Sequence, residues 1–535
     1  MFDLLIRHGT IVDGTGRPSY PGAVACEAGK LRVLSVDEAE GAQAAETVDA
    51  AGLAVCPGFI DAHSHGDRII GTDVGRWCKT SQGVTTEIAG QCGSSRFPVT
   101  AENLELLRGL YQDGMPDWVR EHLSEFVDFA SFLRYAQPQD KTLNSMILTG
   151  HSALRIAAMG FDKRPPTPAE LDHMKRMLRT CMEQGSIGLS TGLLYSPSGY
   201  ADGDEIAALC EVVAEYGGLY TTHMRDESAG VLASVEEALE VARRTGVRLC
   251  ISHHKICGRS NWGLSRKTLE MIDAACAEGC QVTYDVYPYT ASSSKLSVCP
   301  PAYCFARGMD ELKKNLADPA YRAVVKEQMA GDDPQYDGRY RHCGGFGGIL
   351  ISDAPSTPAA NGKTVAAYAA EIGQDEFEVF FDLIRRDGNG AYAIYFSMCD
   401  DDLYYIVQGK NALVGSDGVA TSMTGKTHPR GWGAFTRAIR LYWREQHLFT
   451  FEEVIRRMTS MTAERLGVKN RGRIADGFVA DLTLVDPETV SDRATYADPT
   501  ALSDGIERVI VAGKTVYADK KITGVYPGRI LRRGE

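Results

Sequence analysis

Residues 57–67 read PGFIDAHSHGD, an apolar run that leads into two histidines separated by one residue. Side chains on a β-strand alternate between its two faces, so His63 and His65 are predicted to point the same way. Two imidazoles on one face supply half of a metal site. The alternative is two polar residues on the exposed face of an edge strand, and this stretch alone does not decide between them.

The composition indicates a large globular protein. The chain has 535 residues, 44% of them hydrophobic, and a net charge of -13. This length suits a large α/β barrel with an additional domain. The negative charge argues against nucleic acid or an anionic membrane as a partner, but not against an anionic small molecule bound in a local cationic pocket.

The cysteines and the apolar segments indicate the cellular compartment of the protein. The chain has 14 cysteines without a CxxC pair, which is typical of reduced, mostly buried thiols in a cytoplasmic protein. The N-terminus has no long apolar segment, and no later run approaches the length of a membrane span. We therefore expect a cytoplasmic protein without membrane contact, and the sequence does not indicate its oligomeric state.

Short apolar strands alternate with amphipathic helices through the middle of the chain. Strands are predicted at 58–65, 84–92, 144–151, 186–192, 218–225, 247–255, 281–289 and 412–417, and the helices include 168–184, 204–216, 231–245 and 267–278. Eight such alternations predict an α/β fold, a (β/α)8 barrel of the TIM type with helices outside. The segment 291–410 is longer than one helix needs, and about 296–347 is predicted as an insertion over the barrel mouth.

The two chain ends are predicted to share a small β-sandwich. Residues 1–56 read as short strands and turns that are too few to bury a sheet of their own, and 467–535 carry a similar strand and turn pattern. The predicted domains are therefore 1–56 and 467–535 as the two parts of the sandwich, with 57–466 as the barrel.

Polar residues follow the predicted strands at the ends where barrels carry their catalytic groups. Taken singly, each has a more ordinary interpretation as a structural histidine, a core cysteine or a turn aspartate. Their coincidence at one rim favours a metal site, and nitrogen with thiolate ligands favours zinc. Adjacent residues face opposite ways, so only one of His253 and His254 is expected to be a ligand, and their position alone does not say which. The residues at this rim are His63, His65, Cys92, His223, His253, His254 and Asp417.

The chain resembles the amidohydrolase superfamily, and within it the N-acyl-D-amino-acid deacylases (D-aminoacylases). The resemblance runs in family order over nearly the whole chain. The motifs that carry it are PGFIDAHSH (57–65), AGQCG (89–93), GHSALR (150–155), LSTGLLY (189–195), THMR (222–225), ISHHK (251–255), YPY (287–289), GSDG (415–418) and HPR (428–430).

This resemblance implies a zinc-dependent amide hydrolase. Cys92, His223 and His253 would bind the principal zinc, which selects His253 over His254. His63 and His65 would form a second, weaker site that shares Cys92. Asp417 would be the general base that takes a proton from water and returns it to the leaving amine, and Tyr195 would polarise the amide carbonyl.

The resemblance also implies a substrate with a free carboxylate. Lys255, Tyr287 and Arg430 would bind the α-carboxylate, with Ser293 beside them. Relatives that prefer N-acyl-D-glutamate carry an arginine in the segment after YPY, whereas residues 297–303 here read SVCPPAY. The expected substrates are therefore N-acyl derivatives of neutral or hydrophobic D-amino acids, although Lys295 places one cation nearby.

Two other functions are weighed against this one. A cyclic-amide hydrolase of the hydantoinase or dihydroorotase kind would use a bridging lysine near the fourth strand, and residues 187–195 contain no lysine. A non-catalytic interaction protein with an amidohydrolase fold should have lost some ligands, and the proposed set is complete here.

Overall fold

The computed structural model of the chain describes residues 1–110, 115–305, 308–331, 338–418, 420 and 422–535. In these ranges no helix has both the length and the apolar character needed to cross a bilayer.

The strands are β1 Phe2–Ile11, β2 Tyr20–Glu27, β3 Lys30–Leu34, β4 Ala44–Asp49, β5 Ala54–Pro57, β6 Phe59–Asp61, β7 Val84–Ala89, β8 Asn144–Ile147, β9 Thr149–Gly150, β10 Gly188–Gly192, β11 Leu219–His223, β12 Arg248–Ile251, β13 Val282–Val286, β14 Ser292–Lys295, β15 Ile349–Asp353, β16 Tyr392–Tyr395, β17 Ala412–Val414, β18 Leu482–Val485, β19 Ile506–Val511, β20 Lys514–Ala518, β21 Lys521–Ile522 and β22 Ile530–Leu531.

The α-helices are α1 Val36–Glu40, α2 Asp73–Trp77, α3 Leu104–Leu110, α4 Asp117–His122, α5 Phe129–Ala136, α6 His151–Met159, α7 Pro168–Glu183, α8 Gly203–Glu215, α9 Val231–Thr245, α10 Ser265–Ala277, α11 Met309–Asn315, α12 Pro319–Ala330, α13 Arg339–His342, α14 Val365–Ile372, α15 Glu376–Asp387, α16 Asp400–Gln408, α17 Arg430–Ala438, α18 Phe451–Arg457 and α19 Ser460–Leu466.

Two parallel sheets occupy the middle of the chain. One has the order β17-β13-β12-β11-β10-β9, and the other has the order β22-β8-β7-β6. All eight strands predicted from the sequence lie in these sheets, with the third divided into β8 and β9, and the predicted helices are confirmed as α7 to α10. Their apolar faces pack on the strands in one buried cluster that includes Leu178, Val212, Leu239 and Leu249.

The two parallel sheets are joined at both ends by backbone hydrogen bonds. The amide of Ala62 donates to the Val414 carbonyl (3.3 Å), and the amide of Asp417 donates to the His63 carbonyl (2.8 Å). At the other end, Ile187 donates to Ile147 (3.2 Å). The loops that follow β6 and β17 are therefore held side by side.

Both chain ends contribute strands to one nine-stranded sheet. Its order is β21-β20-β19-β18-β5-β1-β2-β3, with β4 paired to β1. The antiparallel pairing of β5 with β18 joins the beginning of the chain to its end. The last strand departs from this arrangement, because β22 pairs in parallel with β8 of the central sheets.

The segment between β13 and β17 has a core of its own. Its antiparallel sheet has the order β14-β16-β15, and its buried cluster runs from Leu296 to Tyr395. This unit extends beyond residue 347, where the sequence analysis placed its end. Short strands in a mixed segment leave little periodic signal, which explains the difference.

Candidate metal centre and active site

The loop after β6 places both histidines of the opening motif against one carboxylate. Asp417 Oδ1 lies 3.2 Å from His65 Nε2 and 3.6 Å from His63 Nε2. The two side chains meet at this carboxylate although the strand ends at Asp61, so strand alternation is not the reason that they face the same group. The bridge between Ser64 and Gly418 holds the loop against the segment that follows β17.

Cys92 lies between two histidines that follow different strands, β6 and β12. Its Sγ is 3.4 Å from His63 Nε2 and 3.5 Å from His253 Nε2. One potential ligand atom from each of His63, Cys92, His253 and Asp417 lies within 4.8 Å of the others. Burial raises the pKa of the Cys92 thiol, but the nearby His63 and His253 outweigh this effect and hold the pKa well below its usual range. The thiolate is the form that binds metal.

His223 joins the same centre from the end of β11. Its ring centroid is 4.4 Å from that of His253, and together with Glu227 the two form a second group of potential ligands. Both ring nitrogens of His223 are buried and lack a hydrogen-bond partner among the described residues. Burial lowers the pKa of His223, which favours the neutral imidazole that a metal requires. These donors fit a zinc ion, because the set combines a thiolate with neutral imidazole nitrogens.

Of the adjacent pair His253 and His254, only the first faces this centre. His254 Nε2 bonds Thr268 Oγ1 at 2.9 Å, and burial lowers its pKa to about 3. The choice that position alone left open is therefore made by the fold in favour of His253.

Two carboxylates that the sequence analysis missed orient the histidines. Asp285 Oδ2 lies 3.1 Å from His63 Nδ1, and Glu227 Oε1 lies 3.1 Å from His253 Nδ1. Such partners fix the ring orientation of a metal-binding histidine. Asp285 belongs to β13, near the strand end where catalytic groups are expected, so that rule could have found it. Glu227 follows β11 in a loop and gives no comparable signal.

The residues predicted to bind a carboxylate surround Tyr287. Arg430 Cζ is 4.8 Å and Lys255 Nζ is 5.6 Å from the centroid of its ring. The Tyr287 hydroxyl is buried without a hydrogen-bond partner among the described residues, so it is available to a ligand. Both cations already have carboxylate partners, because Lys255 Nζ lies 2.5 Å from Glu227 Oε1 and Arg430 Nη1 lies 2.8 Å from Asp417 Oδ2.

Tyr195 and Ser293 are the two remaining residues that the sequence predicted for the site. The Tyr195 ring centroid is 4.8 Å from that of His223, and burial raises its pKa to about 12, so its hydroxyl stays protonated at neutral pH. Ser293 lies on β14 without a side-chain hydrogen bond to any described residue, whereas Ser294, next to it, interacts with the Tyr195 hydroxyl.

Known proteins of one family are similar to this chain over nearly its full length. A family model described as the amidohydrolase family matches residues 46–290 and 346–517. A D-aminoacylase from Alcaligenes xylosoxydans xylosoxydans is 33% identical over 99% of this chain and 98% of its own length.

Two solved structures of deacylases are similar to this chain over nearly its whole length. The N-acyl-D-glutamate deacylase from Bordetella bronchiseptica, crystallised with zinc and a phosphonate that mimics the tetrahedral intermediate, is 34% identical, with a TM-score of 0.82 and 99% of each chain covered. A D-aminoacylase studied for its binuclear metal centre is 32% identical, with a TM-score of 0.82 and 100% of each chain covered. A D-hydantoinase from Thermus sp. is 15% identical over 99% of each chain with a TM-score of 0.54, a likeness of fold alone.

Proposed function

Because the chain belongs to the amidohydrolase family, and within it to the N-acyl-D-amino-acid deacylases, we propose that it hydrolyses the amide bond of N-acyl-D-amino acids with the help of zinc. The products are a carboxylate and a free D-amino acid. The observation that carries the proposal is the cluster of His63, Cys92, His253 and Asp417 within 4.8 Å, beside His223. A second support is that the N-acyl-D-glutamate deacylase, 34% identical to this chain, was crystallised with zinc.

Cys92, His223 and His253 would hold the principal zinc, and His63 and His65 with the shared Cys92 would hold a second, weaker ion. The support is the depressed pKa of Cys92 and the unpartnered ring nitrogens of His223. Zinc bound there supplies a Lewis acid for the carbonyl and makes water more acidic.

Asp417 would move the protons of the reaction. Burial raises its pKa, but Arg430 and the histidines around it hold the pKa well below the usual range, so the carboxylate is ionised and can accept a proton from water. The same carboxylate would return the proton to the leaving amine.

The remaining residues would bind and polarise the substrate. The protonated hydroxyl of Tyr195 would donate a hydrogen bond to the carbonyl oxygen. Lys255, Tyr287 and Arg430, with Ser293 beside them, would hold the α-carboxylate, because an arginine fork and a lysine charge around a buried hydroxyl suit that group.

For the architecture, we propose a closed eight-stranded TIM-type barrel over 57–466. Its support is the hydrogen bonding at both ends of the parallel sheets and one buried cluster with side chains from both, including Ile60, Ile88, Met146, Leu219 and Leu413. Residues 1–56 and 467–535 would form the small β-sandwich from their shared sheet, and the segment around 296–347 would cover the mouth. The cytoplasm is the proposed compartment, supported by 14 cysteines that are all free.

A substrate screen tests the function. Zinc-loaded protein is incubated with matched N-acetyl-D- and N-acetyl-L-amino acids and with hydantoin, with Asp417→Asn as the inactive control. Free amine is measured for the N-acetyl amino acids, and the N-carbamoylglycine formed by ring opening is measured for hydantoin. We expect amine release from the D-series only. Ring opening of hydantoin without D-series hydrolysis would favour the cyclic-amide alternative. Absence of both activities, with no zinc retained after mild purification, would favour the non-catalytic one.

A further inference from the structure

The segment between β13 and β17 brings one arginine to the edge of the site. Arg339 begins α13 and lies outside the two ranges that the amidohydrolase family model matches. Its Cζ is 4.8 Å from the Tyr395 ring centroid, and its Nη1 donates to Ser292 Oγ at 3.4 Å. Ser292 and Tyr395 are themselves paired between β14 and β16, so the guanidinium is fixed at the end of this small sheet.

This arginine acts on the proposed catalytic groups. Burial raises the pKa of Tyr195, and the positive charge of Arg339 is the strongest influence that opposes the rise. Glu227 and Cys257 also lie within its electrostatic reach. The Tyr195 ring also lies 4.8 Å from the His223 ring, centroid to centroid, so the residue that Arg339 influences adjoins the proposed metal ligands.

The charge of Arg339 has no carboxylate partner among the described residues. Among the described residues, the one side-chain hydrogen bond of Arg339 is to Ser292, and no Asp or Glu oxygen lies within 4.0 Å of its guanidinium. Arg430 and Lys255, by contrast, are both paired with carboxylates. Arg341, two residues further on, donates to the backbone carbonyls of Gln328 and Met329, which is a structural role. A partly buried guanidinium without an anion is costly, and a ligand carboxylate can satisfy its planar fork.

We propose that Arg339 forms a second anion site, which holds a carboxylate of the substrate other than the α-carboxylate. The two anion sites use different aromatic rings, Tyr287 for Lys255 and Arg430, and Tyr395 for Arg339. The second carboxylate belongs either to an acidic side chain, as in N-acetyl-D-glutamate, or to a dicarboxylic acyl group, as in N-succinyl-D-leucine. The inference rests on the proposed function, because it names the substrate class of that site.

The proposal bears on the substrate preference predicted from residues 297–303. That segment lacks an arginine, but α13 supplies one from a different part of the chain. If the second carboxylate is on the acyl group, the amino-acid side chain can remain neutral or hydrophobic as predicted. If it is on the side chain, acidic D-amino acids are the substrates.

Kinetics with three substrates test the proposal: N-acetyl-D-leucine, N-acetyl-D-glutamate and N-succinyl-D-leucine. We expect wild-type kcat/KM to be highest for one of the two dianionic substrates, which identifies the source of the carboxylate. Arg339→Met should lower kcat/KM for that substrate by about ten- to a hundred-fold, mainly through KM, and should affect N-acetyl-D-leucine by a smaller factor. Arg339→Lys keeps the positive charge but loses the planar guanidinium. Its kcat/KM for the preferred dianionic substrate should lie between those of the wild type and of Arg339→Met.

Arg385→Met, an exposed arginine of α15 in the same unit, is the matched control and should leave all three rates unchanged. Equal losses on all three substrates, or a wild type that favours the neutral substrate, would overturn the proposal while the deacylase function stands. No turnover of any of the three would overturn both. Thermal unfolding of each variant checks that it is folded. If Arg339→Met does not fold, the same three-substrate comparison is made with Arg339→Lys.

Discussion

Three of the proposed site residues have backbone conformations that L-amino acids rarely adopt. Cys92, His253 and Asp417 have φ values of 54°, 37° and 46°, although none is a glycine. Each such residue costs about 1 kcal/mol, and this cost is tolerated mainly where function requires the geometry. The sequence predicted these residues as members of the site, but it could not predict that each lies just after its strand in a left-handed turn.

Asp417→Asn tests the proposed base. Asparagine keeps the size of the side chain but cannot accept the proton, so kcat should fall by at least about a hundred-fold while bound zinc stays at the wild-type level. Zinc is measured by mass spectrometry, and turnover by amine release. Cys92→Ala is the contrasting variant, because it should lose the zinc itself. A near-normal rate in Asp417→Asn would remove Asp417 as the base.

Arg430→Met tests two proposed roles of Arg430, which are binding of the substrate carboxylate and the ion pair with the general base Asp417. Arg430 contacts Asp417 as well as the Tyr287 ring, so its loss should both raise KM and lower kcat. Sequence reasoning alone predicts an effect on KM only, because it does not reveal the ion pair. Steady-state kinetics on N-acetyl-D-leucine separate the two effects, and Arg430→Lys should recover part of the kcat. A change in KM with kcat unaltered would mean that the ion pair with Asp417 has no role in turnover.

At the scale of elements, helices were easier to predict than strand ends. The helix predicted at 168–184 is α7 because Thr167 caps its first turn, Pro168 is compatible with its first position and Glu170 completes a capping box. The strands end earlier than predicted, as β6 does at Asp61. Their apolar and polar patterns continue into the loops, so the sequence does not show where the chain leaves the sheet.

The cap of α7 should make part of the stability depend on pH. Glu170 is held by two hydrogen bonds of 2.7 Å to Arg164, and this arginine with the Thr167 amide lowers the Glu170 pKa to about 2. A depressed carboxyl pKa stabilises the fold above the ordinary glutamate value of 4.5, and this contribution is lost as pH falls towards 2. Glu170→Gln should therefore cost about 1 kcal/mol at pH 7 and less at pH 3.

Urea unfolding at the two pH values measures this difference. Asp172→Asn is the control, since Asp172 is exposed on the same helix and forms no ion pair with a described residue. Its cost should be small at both pH values. An equal cost of Glu170→Gln at pH 7 and pH 3 would contradict the assignment of the effect to the ionised carboxylate.

At the scale of the whole molecule, the predicted joining of the chain ends is found in the nine-stranded sheet. The hairpin and strand patterns of 1–56 and 467–535 were sufficient for that prediction. The pairing of β22 with β8 was not predictable, because a strand of two residues carries no periodic signal. Glu227 was missed for a related reason, since it lies in a connecting segment that only the fold brings beside His253.

The central claim is that distant segments of this chain meet to hold one zinc ion on a cysteine and histidines. Anomalous diffraction at the zinc edge from crystals of the zinc-loaded protein tests it most directly. The predicted result is a peak about 2.3 Å from Cys92 Sγ and about 2.1 Å from the ring nitrogens of His223 and His253. A zinc peak elsewhere, or no peak beside Cys92, would contradict the account.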